Sequence, residues 1–184
     1  MNHAEYTIMA EVEDTHWWYR SLRGVILQAW HRYIIQDKPL VLDIGCGTGA
    51  NIRMLNEYAT VFGMDISEEA IGFSKKNHLS RLTQANAMSL PYRDSCMDLC
   101  YTMDVLYHRA VEDKLLALQE AYRVLKPGGY LFINVPAYAW LVSSHDRAIH
   151  TDHRFVRSEI RALLVKAGFE PTRLSYWNTL LFPA

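Results

Sequence analysis

The chain has 184 residues, half of them hydrophobic, with 19 Lys and Arg against 20 Asp and Glu for a formal net charge of −1. This length suits one domain with a real core, and the charge balance gives no electrostatic ground for a nucleic-acid partner, which favours clustered Lys and Arg. No apolar run approaches the ~20 residues of a membrane span, and the opening MNHAEYTIMAEVED is acidic and lacks the apolar core of a signal peptide.

Trp18, Leu22, Val25, Ile26, Ala29, Trp30 and Tyr33 recur at helical spacing, and Pro39 closes that region. Residues 1–38 read as a helical cap on a domain spanning 39–184. Leu40 to Ile44 is a short apolar strand, followed by Gly45-Cys46-Gly47-Thr48-Gly49 and then by Ile52, Leu55 and Tyr58 at helical spacing. Thr60 to Met64 predicts a second strand, and Ser67 caps a helix running towards His78. Leu82 to Ala85 predicts a third strand and Met97 to Met103 a fourth. Glu112 to Leu125 is a periodic helix that Pro127-Gly128-Gly129 stops. Tyr130 to Val135 is a fifth strand, residues 137–156 a polar, aromatic, histidine-rich loop, Ser158 to Ala167 a helix ended by Gly168, and Phe169 to Tyr176 a last strand. Strands alternating with helices predict an α/β, Rossmann-like three-layer sandwich: a mostly parallel twisted sheet with helices on both faces. Ligands of such sheets bind beyond the carboxyl ends of the strands, where the strand order reverses. The three cysteines, Cys46, Cys96 and Cys100, fit no disulfide framework and point to small buried thiols in a reduced, cytoplasmic setting.

Glycines between a strand and a helix let the backbone turn sharply and approach a ligand closely. Gly45-x-Gly47-x-x-Ala50 matches the dinucleotide pattern, so an NAD(P)-dependent oxidoreductase is one reading. Two features favour another nucleoside cofactor. Asp43 lies inside the strand, where a dinucleotide site carries an apolar residue, and Gly45, Gly47 and Gly49 are more tightly spaced. The stretch VLDIGCGTGAN, residues 41–51, resembles motif I of the class I S-adenosylmethionine (SAM) dependent methyltransferases, in particular their type 11-like small-molecule subgroup. The resemblance continues in order along most of the chain. Asp65 ends the second strand in GMDIS, and ANAMSLPY (85–92) resembles the adenine loop, with Asn86 where the family usually has Asp. MDLCYTMDVLYH (97–108) resembles motif IV, and LKPGGYLFINVP (125–136) resembles the segment leading into strand five.

The resemblance implies roles position by position. Gly45, Cys46 and Gly47 would line the methionyl part of SAM, Asp65 would accept both ribose hydroxyls, and Ile66 would pack on adenine. Asn86, Ala87 and Met88 would hold the adenine edge, while Thr102 and Met103 would face the methionyl amino group and the sulfonium. For Ile66 and Met88 a place in the core is the alternative, and for Asp43 a hydrogen bond to the glycine loop. Asp98, at a strand start, reads as structural.

On the acceptor side, His108 follows strand four and is the candidate general base, its titration range suiting the task; a turn-capping or packing role is the alternative. The loop 136–155 follows strand five and should hang over the site, offering Tyr138, His145 and His150 as substrate contacts beside Tyr107. His150 and His153 with Asp146 lack a recognised ligand spacing, so no metal is expected. THWWYRSLRGVI (15–26) resembles the leading segment of a subgroup of these enzymes that folds over the cofactor as a lid, with Trp18 and Tyr19 as candidate contacts; an amphipathic helix docked on the sheet is the alternative.

The family sheet has seven strands, and this sequence runs out after the sixth. The exposed edge is expected to be covered by self-association, giving a homo-oligomer, or by rearrangement of the C-terminal segment. The first expectation is a SAM-dependent methyltransferase acting on a small-molecule acceptor by direct nucleophilic displacement, with no nucleic-acid partner and no membrane span. The alternatives are the oxidoreductase and a non-catalytic SAM-binding or interaction module.

Overall fold

The computed structural model describes residues 3–141 and 151–177. Two helices, α1 (His3–Val12) and α2 (Trp17–Tyr33), precede β1 (Leu40–Ile44). There follow α3 (Ala50–Leu55), β2 (Thr60–Asp65), α4 (Glu68–Lys76), β3 (Leu82–Gln84), β4 (Met97–Met103), α5 (Lys114–Val124) and β5 (Leu125–Asn134). A single 3-10 turn, Ala139–Leu141, and α6 (Arg157–Lys166) complete the described elements. The five strands form one parallel sheet in the order β3-β2-β1-β4-β5. The order reverses between β1 and β4, which places the ligand crevice beyond their carboxyl ends.

Both faces of the sheet are covered, so the central strands β1 and β4 are mostly apolar on both faces, with Asp43 in β1 and Asp98 and Thr102 in β4 as the polar exceptions. Side chains still alternate between faces. Val41 in β1 and Leu99 and Tyr101 in β4 pack under α2, with Leu22, Ile26 and Trp30. Leu42 and Ile44, with Cys100, face the other way onto α5, with Ala121 and Val124. Helix α6 adds Ile160 and Leu164 against Leu118 of α5. Each such fully buried aliphatic side chain contributes about 1.5–3 kcal/mol. Caps fall where side-chain acceptors are available: Ser67 Oγ accepts from Ala70 N at 3.3 Å, and Asp113 Oδ1 from Leu116 N at 2.9 Å. Asp98 is structural. Its two oxygens accept from Leu40 N (2.8 Å) and Lys126 Nζ (2.7 Å), tying the start of β4 to its neighbours on both sides.

The expected elements change in three places. Residues 3–12 form α1, which the acidic opening did not announce; Tyr6 is buried and meets Phe73 of α4 at 6.1 Å between ring centroids. Helix α5 runs straight into β5 at Leu125, and Pro127-Gly128-Gly129 lies within that strand. The extra residues are absorbed by a register shift between the pairs Met97–Leu125 and Leu99–Tyr130, with Gly128 at φ 80°. The last strand, expected over Phe169 to Tyr176, does not form. Pro171 lacks the N–H a ladder needs, and the segment is held by side chains instead. Phe169 packs edge-on against Tyr122 at 5.1 Å, and Leu174 joins the α5–α6 core. No helix among the described residues is long and apolar enough to cross a membrane.

Candidate active site

The chain leaves β1 through a turn in which Gly45, Gly47 and Gly49 all have positive φ. Gly45 and Cys46 both donate their backbone N–H to the Met64 carbonyl at 2.8 Å, which binds the loop to the end of β2. A Cβ at Gly45, where φ is 83°, would stand 2.2 Å from Val105 Cγ2, so the loop and the segment after β4 approach each other only because that atom is absent. Asp65, the last residue of β2, accepts from Gly47 N (3.0 Å, Oδ2) and Ser67 N (2.9 Å, Oδ1). Each oxygen keeps a further lone pair for a ligand. Burial pushes the Asp65 carboxyl above the ordinary carboxylate range, partly offset by its bonds from Ser67 and Gly47.

Beyond this loop lies a cavity of about 860 Å³, within the ~300–1,000 Å³ range of small-molecule sites. Gly45, Cys46, Gly47, Asp65, Ile66, Asn86, Ala87 and Met103 line it from the cofactor side expected from the sequence. Ile66 is 49% exposed, so it is a wall residue rather than a core residue. Tyr107 and His108 line the cavity after β4, and Trp18 and Tyr19 from α2. Met88, Thr102 and Tyr138 are outside its lining. Met88 Sδ instead lies 3.3 Å from Asp113 N, Thr102 is buried in β4, and Tyr138 stacks on Tyr176 at 5.1 Å. His145 and His150 lie outside the described residues. Asn86 Oδ1 accepts from Met88 N at 2.9 Å, so its oxygen shapes the loop and its NH₂ group is the part left to meet a ligand. His108 Nδ1 accepts from Ala110 N at 3.1 Å, which puts the proton of the neutral imidazole on Nε2. The Nε2 atom is itself buried, so His108 borders the cavity with its ring rather than with a free nitrogen, which leaves a packing role in place of the expected general base.

Several wall residues escaped the sequence reading. Glu13, 3% exposed, accepts from the hydroxyl of Thr48 in the glycine loop and from Arg53 Nη2 at 3.2 Å, and its carbonyl accepts from Arg23 Nη2 at 2.6 Å. The α1–α2 connection is thereby bonded directly to the glycine loop. Nothing in the local pattern distinguishes Glu13 from a solvated acid. Asp104 and Asn134, by contrast, sit at or just past the ends of β4 and β5, where the strand-end rule could have found them. Burial pushes Asp104 up to about 6, against the lowering effect of a 2.7 Å bond from Asn134 Nδ2. Trp177 also lines the cavity and stacks on Trp18 at 4.6 Å.

Asp43 lies behind the glycine loop, almost fully buried, and its Oδ2 has no hydrogen-bond partner among the described residues. Burial is the main cause that pushes it up to about 8; the Tyr101 hydroxyl lowers it, and the charge of Asp65 adds a further rise. Folded protein therefore keeps a proton that unfolded chain has released, over the window from about 4 to about 8. Unfolding in that window loses a proton, so stability falls as pH rises, by up to ~1.4 kcal/mol per pH unit for one such group. Melting temperature should drop from pH 5 to pH 8.5, with Asp104 sharing the lower part of the fall. Asp43→Asn should flatten the upper part, whereas melting curves for the two proteins that stay parallel across the range would contradict a buried, proton-holding Asp43.

A parallel sheet of this order, a glycine turn after its first strand and a cavity-lining acid at the end of the second define a Rossmann-type nucleotide-cofactor fold. Residues 42–133 match the family model described as "Methyltransferase domain", and the chain belongs to that family, the class I SAM-dependent methyltransferases. SAM is the family's methyl donor. The chain is 32% identical over 148 residues to the 27-O-demethylrifamycin SV methyltransferase of Amycolatopsis mediterranei, covering 71% of this chain and 54% of that protein. It is 34% identical over 113 residues to the tRNA (carboxymethyluridine(34)-5-O)-methyltransferase of Arabidopsis thaliana, covering 61% and 26%. Among solved structures, the complex between the Haloferax volcanii Trm112 methyltransferase activator and its methyltransferase gives a TM-score of 0.71 at 26% identity, over 90% of this chain and 72% of the matched one. The chain spans less than two thirds of the length of the curated relatives it matches. A relative named for tRNA removes the ground for excluding nucleic acid on charge balance alone.

Proposed function

We propose that this chain binds SAM in the cavity above β1 and β4 and transfers its methyl group to a small-molecule acceptor. One observation carries this reading: a single cavity runs from the glycine loop and Asp65 to Tyr107, His108 and Phe155, with apolar and aromatic side chains between. The residues present fit the cofactor. Gly47 has no Cβ where the loop borders the cavity, Asp65 has acceptor capacity for two hydroxyls, and Ile66 offers an exposed apolar face. When bound, SAM supplies an electrophilic methyl on a sulfonium. The chain's part is to orient the two reactants and to exclude water, and alignment of this kind contributes roughly 7–11 kcal/mol in favourable cases. Residues 1–38 act as a cover, since α1, α2 and their connection place Tyr6, Met9, Trp18 and Tyr19 in the wall. His108, with Nδ1 engaged by Ala110 N and Nε2 buried, acts through packing, holding the turn after β4 against the cavity wall.

Calorimetric titration with S-adenosylhomocysteine, with NAD in parallel, tests the cofactor. Micromolar binding of the former and no heat from NAD is the expected result; NAD binding alone would return the chain to the dinucleotide reading. A tRNA acceptor is the second reading, favoured by the relative named above. Transfer of labelled methyl groups to total tRNA rather than to a small-molecule extract would establish it.

A further inference from the structure

The acceptor half of the cavity holds a carboxylate that the methyl-transfer reading leaves unused. Asp104 lines the cavity just past β4 with its backbone at φ 58°, in the left-handed region that Asp tolerates better than most residues. Its N–H donates to the Asn134 carbonyl at 3.1 Å, which holds that turn against the end of β5. Its Oδ1 accepts from Asn134 Nδ2 at 2.7 Å, and Asn134 Oδ1 in turn accepts from the Trp177 indole N–H at 2.8 Å. The indole N–H can only donate, so it fixes the amide the other way round for Asp104. Burial raises the Asp104 carboxyl to about 6, and the donor it meets limits that rise, so it is ionised and accepting at pH 7.5.

Aromatic rings line the same cavity, Trp177 being joined to Asp104 through Asn134. Trp177 packs on Trp18 at 4.6 Å and 38°, and both line the cavity with Tyr19. After burial, the charges of Glu13, Asp104 and Glu5 raise the Tyr19 phenol, which places that ring within the field of Asp104. Among the described residues three arginines line the cavity, and the charge of Arg157 acts on the Tyr138 and Tyr176 phenols. Arg154 Nη1 donates to the Ala137 carbonyl at 2.9 Å and Arg23 Nη2 to the Glu13 carbonyl at 2.6 Å. An ionised acid sharing a cavity with tryptophan and tyrosine rings attracts an organic cation, through charge and through the ring faces.

Resting on the methyl-transfer reading, we propose that the acceptor is a small organic amine, its ammonium held by Asp104 and its carbon frame against Trp18, Tyr19 and Trp177. Asp104 then takes the proton that leaves nitrogen. The freed lone pair forms the new N–C bond as the S–C bond of the sulfonium breaks, its electrons returning to sulfur. The proton passes from Asp104 to water afterwards, so the carboxylate is regenerated.

The test uses the protein saturated with S-adenosylhomocysteine. Benzylamine, phenethylamine and cyclohexylamine are titrated against it beside their matching alcohols, all at pH 7.5. Failure to bind S-adenosylhomocysteine at the first step would refute the methyl-transfer reading itself, separately from this one. With that step passed, at least one amine should bind ten times more tightly than its alcohol. In Asp104→Asn, which keeps shape and left-handed tolerance, that preference should vanish while S-adenosylhomocysteine affinity stays within threefold. Asn134→Leu keeps the carboxylate but removes its donor, and should weaken the amines alone by several fold. Equal binding of amines and alcohols by the wild type would overturn the proposal. So would a tenfold loss of S-adenosylhomocysteine in Asp104→Asn with amine preference intact, because Asp104 would then serve the cofactor's own amino group.

Discussion

Replacing Asp65 with Ala should lower the affinity for S-adenosylhomocysteine by about 100-fold or more while leaving the fold nearly as stable as before. The affinity part follows from chemistry at the end of β2. A carboxylate accepting two hydroxyls makes two hydrogen bonds to a charged group, each worth ~1.5–3 kcal/mol, and ~3 kcal/mol is already about 100-fold. The loop shifts as well, since Gly47 N loses its acceptor at 3.0 Å. The stability part follows from the direction of the Asp65 pKa. Burial raises it despite the bonds from Ser67 and Gly47, so the ionised carboxylate is disfavoured by the folded protein at neutral pH. Removing it relieves that cost and loses two backbone partners, and the two effects oppose each other. A residue whose charge costs the fold stability and whose position faces a cavity is a functional candidate on physical grounds. Asp65→Asn keeps one acceptor oxygen and should fall between, near tenfold. Calorimetry paired with thermal melting decides it. Unchanged affinity in Asp65→Ala would remove Asp65 from the cofactor site, and a melting temperature lowered by tens of degrees would make it a structural residue instead.

The parts of this site that were legible in the sequence are those where local pattern and global position agree. β1 and β4 fall where expected and β2 within one residue, because buried parallel strands read as short apolar runs bounded by turn residues. The glycine turn, Asp65 and the loop at Asn86 were legible because they follow strands, and the sheet topology makes those positions converge. What stayed hidden depends on contacts distant in sequence. Glu13 is one acid in an acidic stretch until folding brings Thr48 and Arg53 to it. Trp177 falls just past the strand expected over Phe169 to Tyr176, and only the failure of that strand, with Pro171 in its path, leaves the indole to reach Asn134 over the cavity. His108 was legible as a residue near the acceptor but not as a tautomer. The bond from Ala110 N that sets its proton spans two residues and depends on the turn geometry after β4. The five-stranded sheet also leaves the outer side of β5 without a strand neighbour among the described residues, and the segment 171–177 turns towards the cavity rather than along that edge.

Gly45→Ala should cost the protein about 2–5 kcal/mol and abolish measurable binding of S-adenosylhomocysteine. Two separate penalties add here. A side chain at φ 83° occupies the left-handed region, at roughly 1–2 kcal/mol. The new Cβ would also lie 2.2 Å from Val105 Cγ2, closer than any real contact, and overpacking of this kind costs about 1–3 kcal/mol. The two can be told apart, because the clash has a single partner. Val105→Ala removes both Cγ atoms, so Gly45→Ala/Val105→Ala should recover the overpacking share and retain the backbone share. On its own Val105→Ala costs the packing of a half-buried side chain, which sets the baseline for the comparison. Binding should return only in part, since relief of the clash does not restore the preferred backbone of the turn. The loop is held to β2 by the bonds from Gly45 N and Cys46 N to the Met64 carbonyl, so any relaxation of residue 45 moves Gly47 and its contact with Asp65. Chemical denaturation of the three variants, with calorimetry on each, separates these shares. If Gly45→Ala costs as much in the Val105→Ala background as in the wild type, the backbone conformation alone sets the penalty and the clash with Val105 contributes nothing to it.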